Sequence, residues 1–326
     1  MAKILKEVRQ FVEDRALVKN GDRVLIAVSG GPDSVFLFYF FQYLKKFHRI
    51  SFSVAYIHHH LRKEADEELK FVELLAKKYK APFYYRDIQI EGKSGIEEKA
   101  RRERYKALYS IAKKANCNKI AVGHNLDDQV ETVIMRFIKG AGIAGLGGIS
   151  PERHLFPKSK ITVIRPLLCL EKKDIMEFLE GKQIEYRKDE TNLSTDFFRN
   201  RIRLEVIPFL SKYNPQLKKK IAQMSFLIQD DFSFIISKGY EAFKKIVKED
   251  VLNMVEYRKL DISIKRMVAG ILIEKITGDP YRSYNKIRQL VEYLDRYPGK
   301  KLPINGVRSC FLHPLTPTLS PQGRGK

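Results

Sequence analysis

Short β-rich runs alternate with helical ones along the first two thirds of this chain. The runs Val24–Val28, Phe52–Ile57, Pro82–Ile88, Lys119–Val122 and Ile161–Arg165 alternate with Val35–Phe47, Lys63–Lys80, Ile96–Ala115, Leu126–Ile138 and Glu171–Gly181, where apolar residues recur at helical spacing. Repetition of this kind folds as a parallel sheet, because each helix must carry the chain back before the next strand can run the same way. The fold class expected is therefore α/β, with helices on both faces of the sheet. After Pro208 the pattern changes to long helical stretches, Pro215–Val247 and Ile262–Ile276. The expected division is a parallel-sheet domain over 1–210, a smaller mainly helical domain over 211–312 and an atypical tail over 313–326. That tail is rich in Pro, Ser, Thr and Gly without periodicity and is expected to be disordered. A frame change or a genuine short form would both produce it.

The first strand runs into Ser29-Gly30-Gly31-Pro32-Asp33-Ser34, and an apolar helix start follows at Val35. Two glycines let the backbone bend through positive φ and approach an anion, and the helix N-terminus behind them offers unpaired N–H groups and a positive dipole end. The reading is a nucleotide site. It is not a Walker loop, since the Gly-Lys-Ser at Gly92 to Ser94 has Asp87 where a glycine is required, and no GxGxxG follows the first strand. A strand-to-helix turn without a ligand is the plain alternative, but it needs no serine at both ends and no aspartate between. SGGxDS without a lysine resembles the pyrophosphate loop of the ATP pyrophosphatases, which cleave ATP between the α and β phosphates.

Charge points to a second partner. The net charge is +22 over 326 residues, and both halves carry the excess, so a polyanion is expected, most plainly nucleic acid. Cys117, Cys169 and Cys310 form no CxxC pair, which indicates neither a disulfide framework nor a local metal site and fits a reducing cytoplasm. The N-terminal stretch reads as an amphipathic helix, and the apolar run Val35–Phe41 is too short to span a bilayer.

Other strand ends carry chemistry as well. The second runs into His58-His59-His60-Leu61-Arg62, and neighbours on a strand point to opposite faces, so these histidines divide between packing and contact with a substrate. The fourth runs into Gly123-His124-Asn125-Leu126-Asp127-Asp128-Gln129-Val130-Glu131-Thr132. On a helix starting near Leu126, the carboxylates of Asp127, Asp128 and Glu131 cluster. Such a cluster suits Mg²⁺ or an ammonium group, and it equally suits capping by acids of the first turn. GAGIAGLGGI, with five glycines from Gly140 to Gly148, reads as a mobile loop or a linker. Arg199, Arg201 and Arg203 alternate with Asn200 and Ile202 and suit phosphates or base edges of RNA.

SGGPDS, HHHLR, the stretch Glu97 to Tyr105, GHNLDDQVET, GAGIAGLGGI, Arg165-Pro166-Leu167-Leu168 and DETNLSTDFFRNRIR, Asp189 to Arg203, occur in the order found in tRNA(Ile)-lysidine synthetases. The chain resembles that family over roughly residues 20 to 210. The resemblance implies an ATP-dependent C–N ligase acting on the wobble cytidine of a tRNA(Ile) with a CAU anticodon. ATP adenylates the C2 oxygen, and the amine of free L-lysine then displaces AMP. It implies ATP contacts from Ser29, Gly30, Gly31, Pro32, Asp33, Ser34, His58 and His124. Asp33 would be catalytic, carrying Mg²⁺ or orienting the α-phosphate, and Arg101 or Arg104 would supply mobile positive charge. Asp127, Asp128 and Glu131 would hold lysine, and Arg199, Asn200, Arg201 and Arg203 would contact tRNA; a homodimer is left open. The competing readings are a cytidine 2-thiolase, which typically relies on clustered cysteines, and a non-catalytic tRNA-binding protein.

Overall fold

In a computed structural model of the chain, residues 2–58, 65–89, 96–156, 159–187, 198–278 and 284–307 are described. His59 to Arg62, Gly92 to Ser94, the first part of DETNLSTDFFRNRIR and the tail lie outside them. The chain divides into two compact units, Met1–Ile228 and Gln229–Lys326.

The first unit opens with helix α1 (Ala2–Asp14) and continues β1 (Arg23–Ala27), α2 (Pro32–Leu44), β2 (Ser51–His58), α3 (Ala65–Lys78), β3 (Phe83–Asp87), α4 (Ile96–Lys114) and β4 (Lys119–Ala121). Then come α5 (Leu126–Ile138), a single turn α6 (Ile143–Leu146), β5 (Glu152–His154), β6 (Thr162–Ile164) and α7 (Lys172–Gly181). The sheet order is β3-β2-β1-β4-β6-β5, and every pairing is parallel except β5 with β6. The expected parallel sheet is present. The edge strand β5 is additional: Glu152-Arg153-His154 is polar, so nothing in its composition announces a strand.

Both faces of the central strands β1, β2, β4 and β6 are largely buried, which is why these strands read as mostly apolar runs. Val24, Ile26, Val54, Tyr56 and Ile164 enter one core with α1, α2 and α7. Leu25, Ala55, Ile120 and Val163 enter the other with Tyr105, Leu108 and Ala112 of α4. Helix α2 is apolar around most of its circumference, burying Val35, Phe36, Leu37, Phe38, Phe40, Phe41 and Leu44, and is thereby held centrally. Phe36 meets Phe178 edge-on at 5.0 Å, and Phe38 meets Phe52 and Tyr79 at 5.9 and 5.3 Å. The start of α2 is thus set by a rigid aromatic core.

Strand order reverses at β1 and β4: the chain moves outward from β1 through β2 to β3, then returns to place β4 on the other side of β1. Ligands of open α/β sheets bind at such a switch point, beyond the carboxyl ends of the strands. SGGPDS and GHN follow these two ends.

GAGIAGLGGI is tied down, contrary to the expectation of a mobile loop. Arg136 Nη1 donates to the carbonyls of Gly145 and Gly148, at 3.0 and 2.6 Å. Fully buried Gln129 donates from Nε2 to the Gly147 carbonyl at 3.1 Å and to Ser225 Oγ at 2.7 Å, while its Oε1 accepts from Ile149 N–H at 2.6 Å. Gly148 has φ +69, and a Cβ there would come within 2.7 Å of the Gln129 amide, so this position excludes a side chain on two counts.

The later chain holds α8 (Phe198–Arg201), α9 (Ile207–Ser211) and the long α10 (Leu217–Ile246). The second unit has its own core, in which Leu252, Met254, Tyr257, Val268, Leu272, Leu294 and Leu302 are buried. Its helices α11 (Met254–Arg258), α12 (Ile262–Thr277) and α13 (Tyr284–Arg296) accompany a small antiparallel sheet of β7 (Val247–Lys248), β8 (Val251–Asn253) and β9 (Lys301–Pro303). No helix among the described residues is long and apolar enough to cross a membrane.

Replacing Gln129 with leucine keeps its bulk but strands the Ile149 N–H and the Gly147 carbonyl. The expected cost is about 2–4 kcal/mol in urea unfolding, with new proteolytic cleavage between Gly140 and Ile149.

Candidate functional site

A cavity of about 300 Å³ opens at the switch point. Ser29, Gly31, Asp33 and Ser34 form one wall, Gly123, His124 and Asp128 another, and Arg104 and Arg199 bring positive charge to it. The remaining surface is apolar, and the small side chains of Ala27 and Ala55 leave room for a flat ring.

The loop after β1 is shaped from within. Gly30 turns at φ +87, and its carbonyl accepts from the backbone N–H of Arg187 at 2.9 Å. Ser34 Oγ donates to the Gly31 carbonyl at 2.8 Å and accepts from the Ser29 N–H at 3.1 Å. Pro32 occupies the first turn of α2, where its missing N–H costs nothing, and the remaining unpaired N–H groups there suit an anion.

One residue joins this loop to the end of β4. Asn125, 3 % exposed, accepts at Oδ1 from the Asp128 N–H at 3.1 Å, and Asp128 Oδ2 accepts from the Asn125 N–H at 3.0 Å, which closes a capping box on α5. Its Nδ2 donates to Asp33 Oδ1 at 2.9 Å. Burial raises the Asp33 pKa to about 6 from 3.8, a shift that the Asn125 hydrogen bond and the charge of Lys172 oppose and the charges of Asp128 and Asp127 reinforce. Asn125 is absent from the residues expected to carry function, although its place before the first helical turn marks it as a cap.

The carboxylates and the arginines, expected to hold different ligands, are bonded to each other. Arg199 donates from Nε to Glu131 Oε2 at 2.6 Å and from Nη2 to Asp128 Oδ1 at 2.7 Å. Arg203 donates from Nε to Glu131 Oε1 at 2.5 Å and from Nη2 to Oε2 at 3.2 Å. Glu131 is completely buried, and three donated bonds compensate its charge. Burial holds the Asp128 carboxyl above the usual range, against the pull of Arg199. Asp127 has other partners: Oδ2 accepts from the Lys172 N–H at the start of α7 and Oδ1 from Lys218 Nζ at 2.6 Å. Arg201 is exposed and lies 3.9 Å from Glu205. Asn200, beside it, is half-buried.

The arginines sit on an irregular helix. Between α8 and α9 the segment Ile202–Val206 is π-helical, and the Ile207 N–H reaches back to the Ile202 carbonyl. Pro208 follows, with no N–H to give and a ring that crowds the preceding turn. Ile202 and Ile207, five apart, enter one small core with Leu126, Val130 and Ile134 of α5.

Three further residues shape the cavity's electrostatics. His124 has Nδ1 buried without a hydrogen-bond partner, and burial, reinforced by Arg165, Arg104, Arg101 and Arg199, holds its pKa well below the usual value, so its ring is neutral at pH 7. Arg165 is 1 % exposed and donates from Nη1 to the Ser150 carbonyl at 2.6 Å. Burial pushes the Tyr105 phenol up, but the guanidiniums of Arg165 and Arg101 outweigh it and leave the pKa lowered. Arg165 and Tyr105 were legible only as members of motifs.

Two expected contacts lie away from the cavity. His58 is on the opposite face of β2 from Ala55 and Ile57, with Nε2 3.2 Å from Asp66 and Nδ1 3.8 Å from Asp87. Of the two arginines of α4, Arg104 lines the cavity and Arg101 lines an adjoining groove.

Asp33 carries a measurable cost. Above about pH 6 the folded protein bears a buried charge, whereas below about pH 4 the acid is neutral folded or unfolded. Asp33→Asn should therefore stabilise the ligand-free protein by up to about 3 kcal/mol at pH 8, a gain that fades through pH 6 and vanishes near pH 4 in thermal melts.

The family description "PP-loop domain" matches residues 1–210. The chain is 34% identical over 305 residues to a tRNA(Ile)-lysidine synthase of Persephonella marina, covering 91% of this chain and 65% of the relative. It is 32% identical over 314 residues to one from Dehalococcoides mccartyi, covering 92% and 67%. It is 30% identical over 300 residues to a bifunctional protein TilS/HprT of Listeria monocytogenes, covering 89% and 46%. The chain thus spans about half the length of the bifunctional relative and about two thirds of the others. Among solved structures, a U34-tRNA thiolase NcsA from Methanococcus maripaludis with its [4Fe-4S] cluster superposes with a TM-score of 0.57 at 21% identity, covering 70% of this chain and 78% of that one, a likeness of fold. By these matches the chain belongs to the PP-loop family, among the relatives of the tRNA(Ile)-lysidine synthases.

Proposed function

We propose that this protein is a tRNA(Ile)-lysidine synthase, acting in the cytoplasm on a tRNA(Ile) with a CAU anticodon. The observation that carries the reading is that the SGGPDS loop and Asp128 open into one cavity, so a phosphate and a cation can meet over the same reacting atom. In this reading ATP lies with adenine against the apolar walls and its phosphates at the N-terminus of α2. The C2 oxygen of cytidine attacks the α-phosphorus, and pyrophosphate leaves with the bonding pair. Arg104 balances the negative charge that develops on the leaving group, and His124, kept neutral, offers a hydrogen bond without adding charge.

Mg²⁺ fits at Asp33: this cation is commonly held by one or two carboxylates plus substrate phosphates, and Asp33 is a single carboxylate facing the cavity, with one oxygen already oriented by Asn125. Bound there, it would screen the phosphate charge.

In this reading the lysine ammonium meets Asp128, which lines the cavity, with Glu131 behind it, and the bonds of both carboxylates to the Arg199 guanidinium support a pair suited to a cation. About one lysine in 2,500 has a neutral ε-amine at pH 7, a deficit of about 5 kcal/mol, and a carboxylate neighbour increases it. Proton transfer therefore waits until C2 is activated: the ammonium gives one proton to Asp128 as its freed lone pair forms the N–C2 bond, the acidified nitrogen releases a second proton to solvent, and the C2–O bond breaks as AMP leaves with the pair. The thiolase alternative has less support, since Cys117 belongs to one core of the sheet and Cys169 packs against the other.

Incubating a CAU-anticodon tRNA(Ile) transcript with ATP, Mg²⁺ and lysine should add one lysyl group to the wobble cytidine, read by mass spectrometry of the nuclease digest; an unmodified cytidine with the active protein sinks the reading. Glu131→Gln should lower lysine incorporation by about a hundredfold while leaving pyrophosphate release within about tenfold of the parent. Equal losses in both would remove Glu131 from the lysine site.

A further inference from the structure

Tyr105 lines two spaces. One is the cavity at the switch point, and the other is an open groove of about 540 Å³ between α4 and the residues around β5. On α4 the groove is faced by Glu98, Arg101, Arg102 and Tyr105, which follow the three-and-four spacing of a single helix face. Arg153 of β5 stands 5.2 Å over the Tyr105 ring, and the Phe156 ring is fixed edge-on against Tyr109 at 4.9 Å. The floor is therefore aromatic and rigid, and the rim carries guanidiniums and the Lys99 ammonium, with Glu98 the one acid among the described lining residues. The Arg102 side chain is 66% exposed and, among the described residues, makes a surface pairing with Glu103 at 3.4 Å.

Guanidiniums interleaved with fixed aromatic rings are the chemistry that binds single-stranded nucleic acid, phosphates on the cations and bases on the rings. We infer that this groove holds the nucleotide neighbouring the reacting cytidine, its phosphate between Arg102 and Arg153 and its base against Phe156. The inference rests on the proposed function and places part of its RNA. A polynucleotide with one base turned into the cavity must lay the adjoining phosphate on the cavity's rim, and Tyr105 is the rim that the two spaces share. Exposed guanidiniums attract the phosphate, and the preset Phe156 ring gives its base a face to stack on without prior ordering.

The test uses the full chain and a stem-loop RNA with CAU in its loop, bound at several potassium chloride concentrations. The Arg102→Ala, Arg153→Ala double variant should weaken RNA binding at least about tenfold and lower the slope of log affinity against log salt by roughly 0.7 for each phosphate no longer neutralised. Phe156→Leu should weaken binding about tenfold with the slope unchanged. Because Phe156 also packs on Tyr109, its folding is checked by melting, and the double variant, on exposed side chains, decides the matter. The ATP-induced thermal shift should be the same in the double variant and the parent. Parental RNA affinity and salt slope in the double variant overturn the groove, even where the parent makes lysidine. Loss of RNA binding in the double variant, with no lysyl adduct formed by the parent, leaves the groove standing and removes the proposed function.

Discussion

The two halves of the site are held together by one amide. Asn125 spends its oxygen on the first turn of α5 and its nitrogen on Asp33, so a single side chain fixes the carboxylate helix relative to the phosphate loop. Asn125 itself is buried, where a hydrogen bond is strong and a missing one is costly. The aromatic packing of α2 makes the joint useful: with Phe36 and Phe38 locked, the start of that helix cannot follow Asp33 if the amide lets go. Strand order supplies the place, aromatic packing supplies the rigidity, and Asn125 supplies the register between them.

Charge is arranged in layers around that joint. Nearest the loop, Asp33 is buried and difficult to ionise. Beyond it, Asp128 and Glu131 are matched by Arg199 and Arg203, and Asp127 is turned away to Lys218 and the start of α7. Burial, reinforced by Arg165 and its neighbours, keeps His124 neutral. A cavity built this way presents an anion with donors on one side and a cation with acceptors on the other, with little net charge left unbalanced between Glu131 and its arginines.

Much of the fold could be read from residues because both faces of the sheet's central strands are largely buried: strands such as Val24–Val28 then advertise themselves as apolar runs, and the following helices by their period. The edge strand β5 escaped because it is polar, and the glycine run was misread because glycine signals freedom when unpartnered, while here Arg136 and Gln129 occupy its carbonyls and one of its neighbours' N–H groups. Within the site, the loop was legible because its residues are contiguous. The pairing of Glu131 with Arg199 was not, since 68 residues separate them and each alone reads as an available charge. Likewise His58 looked like a contact by its place at a strand end, but strand alternation turned it toward Asp66.

The π-helical turn has a consequence for how the arginine motif evolves. A π-helical bond reaches back five residues where an α-helical bond reaches four, and that one extra residue shifts the phase of everything before it by about 100° relative to everything after. Ile202 and Ile207 share a core across that wider turn, and of the two arginines that reach Glu131, Arg199 precedes the turn and Arg203 lies within it. The aim of both guanidiniums is therefore set in part by Pro208, a residue outside their motif. A chain that kept every arginine but replaced this proline would retain the letters of the motif and lose the angle at which they are presented.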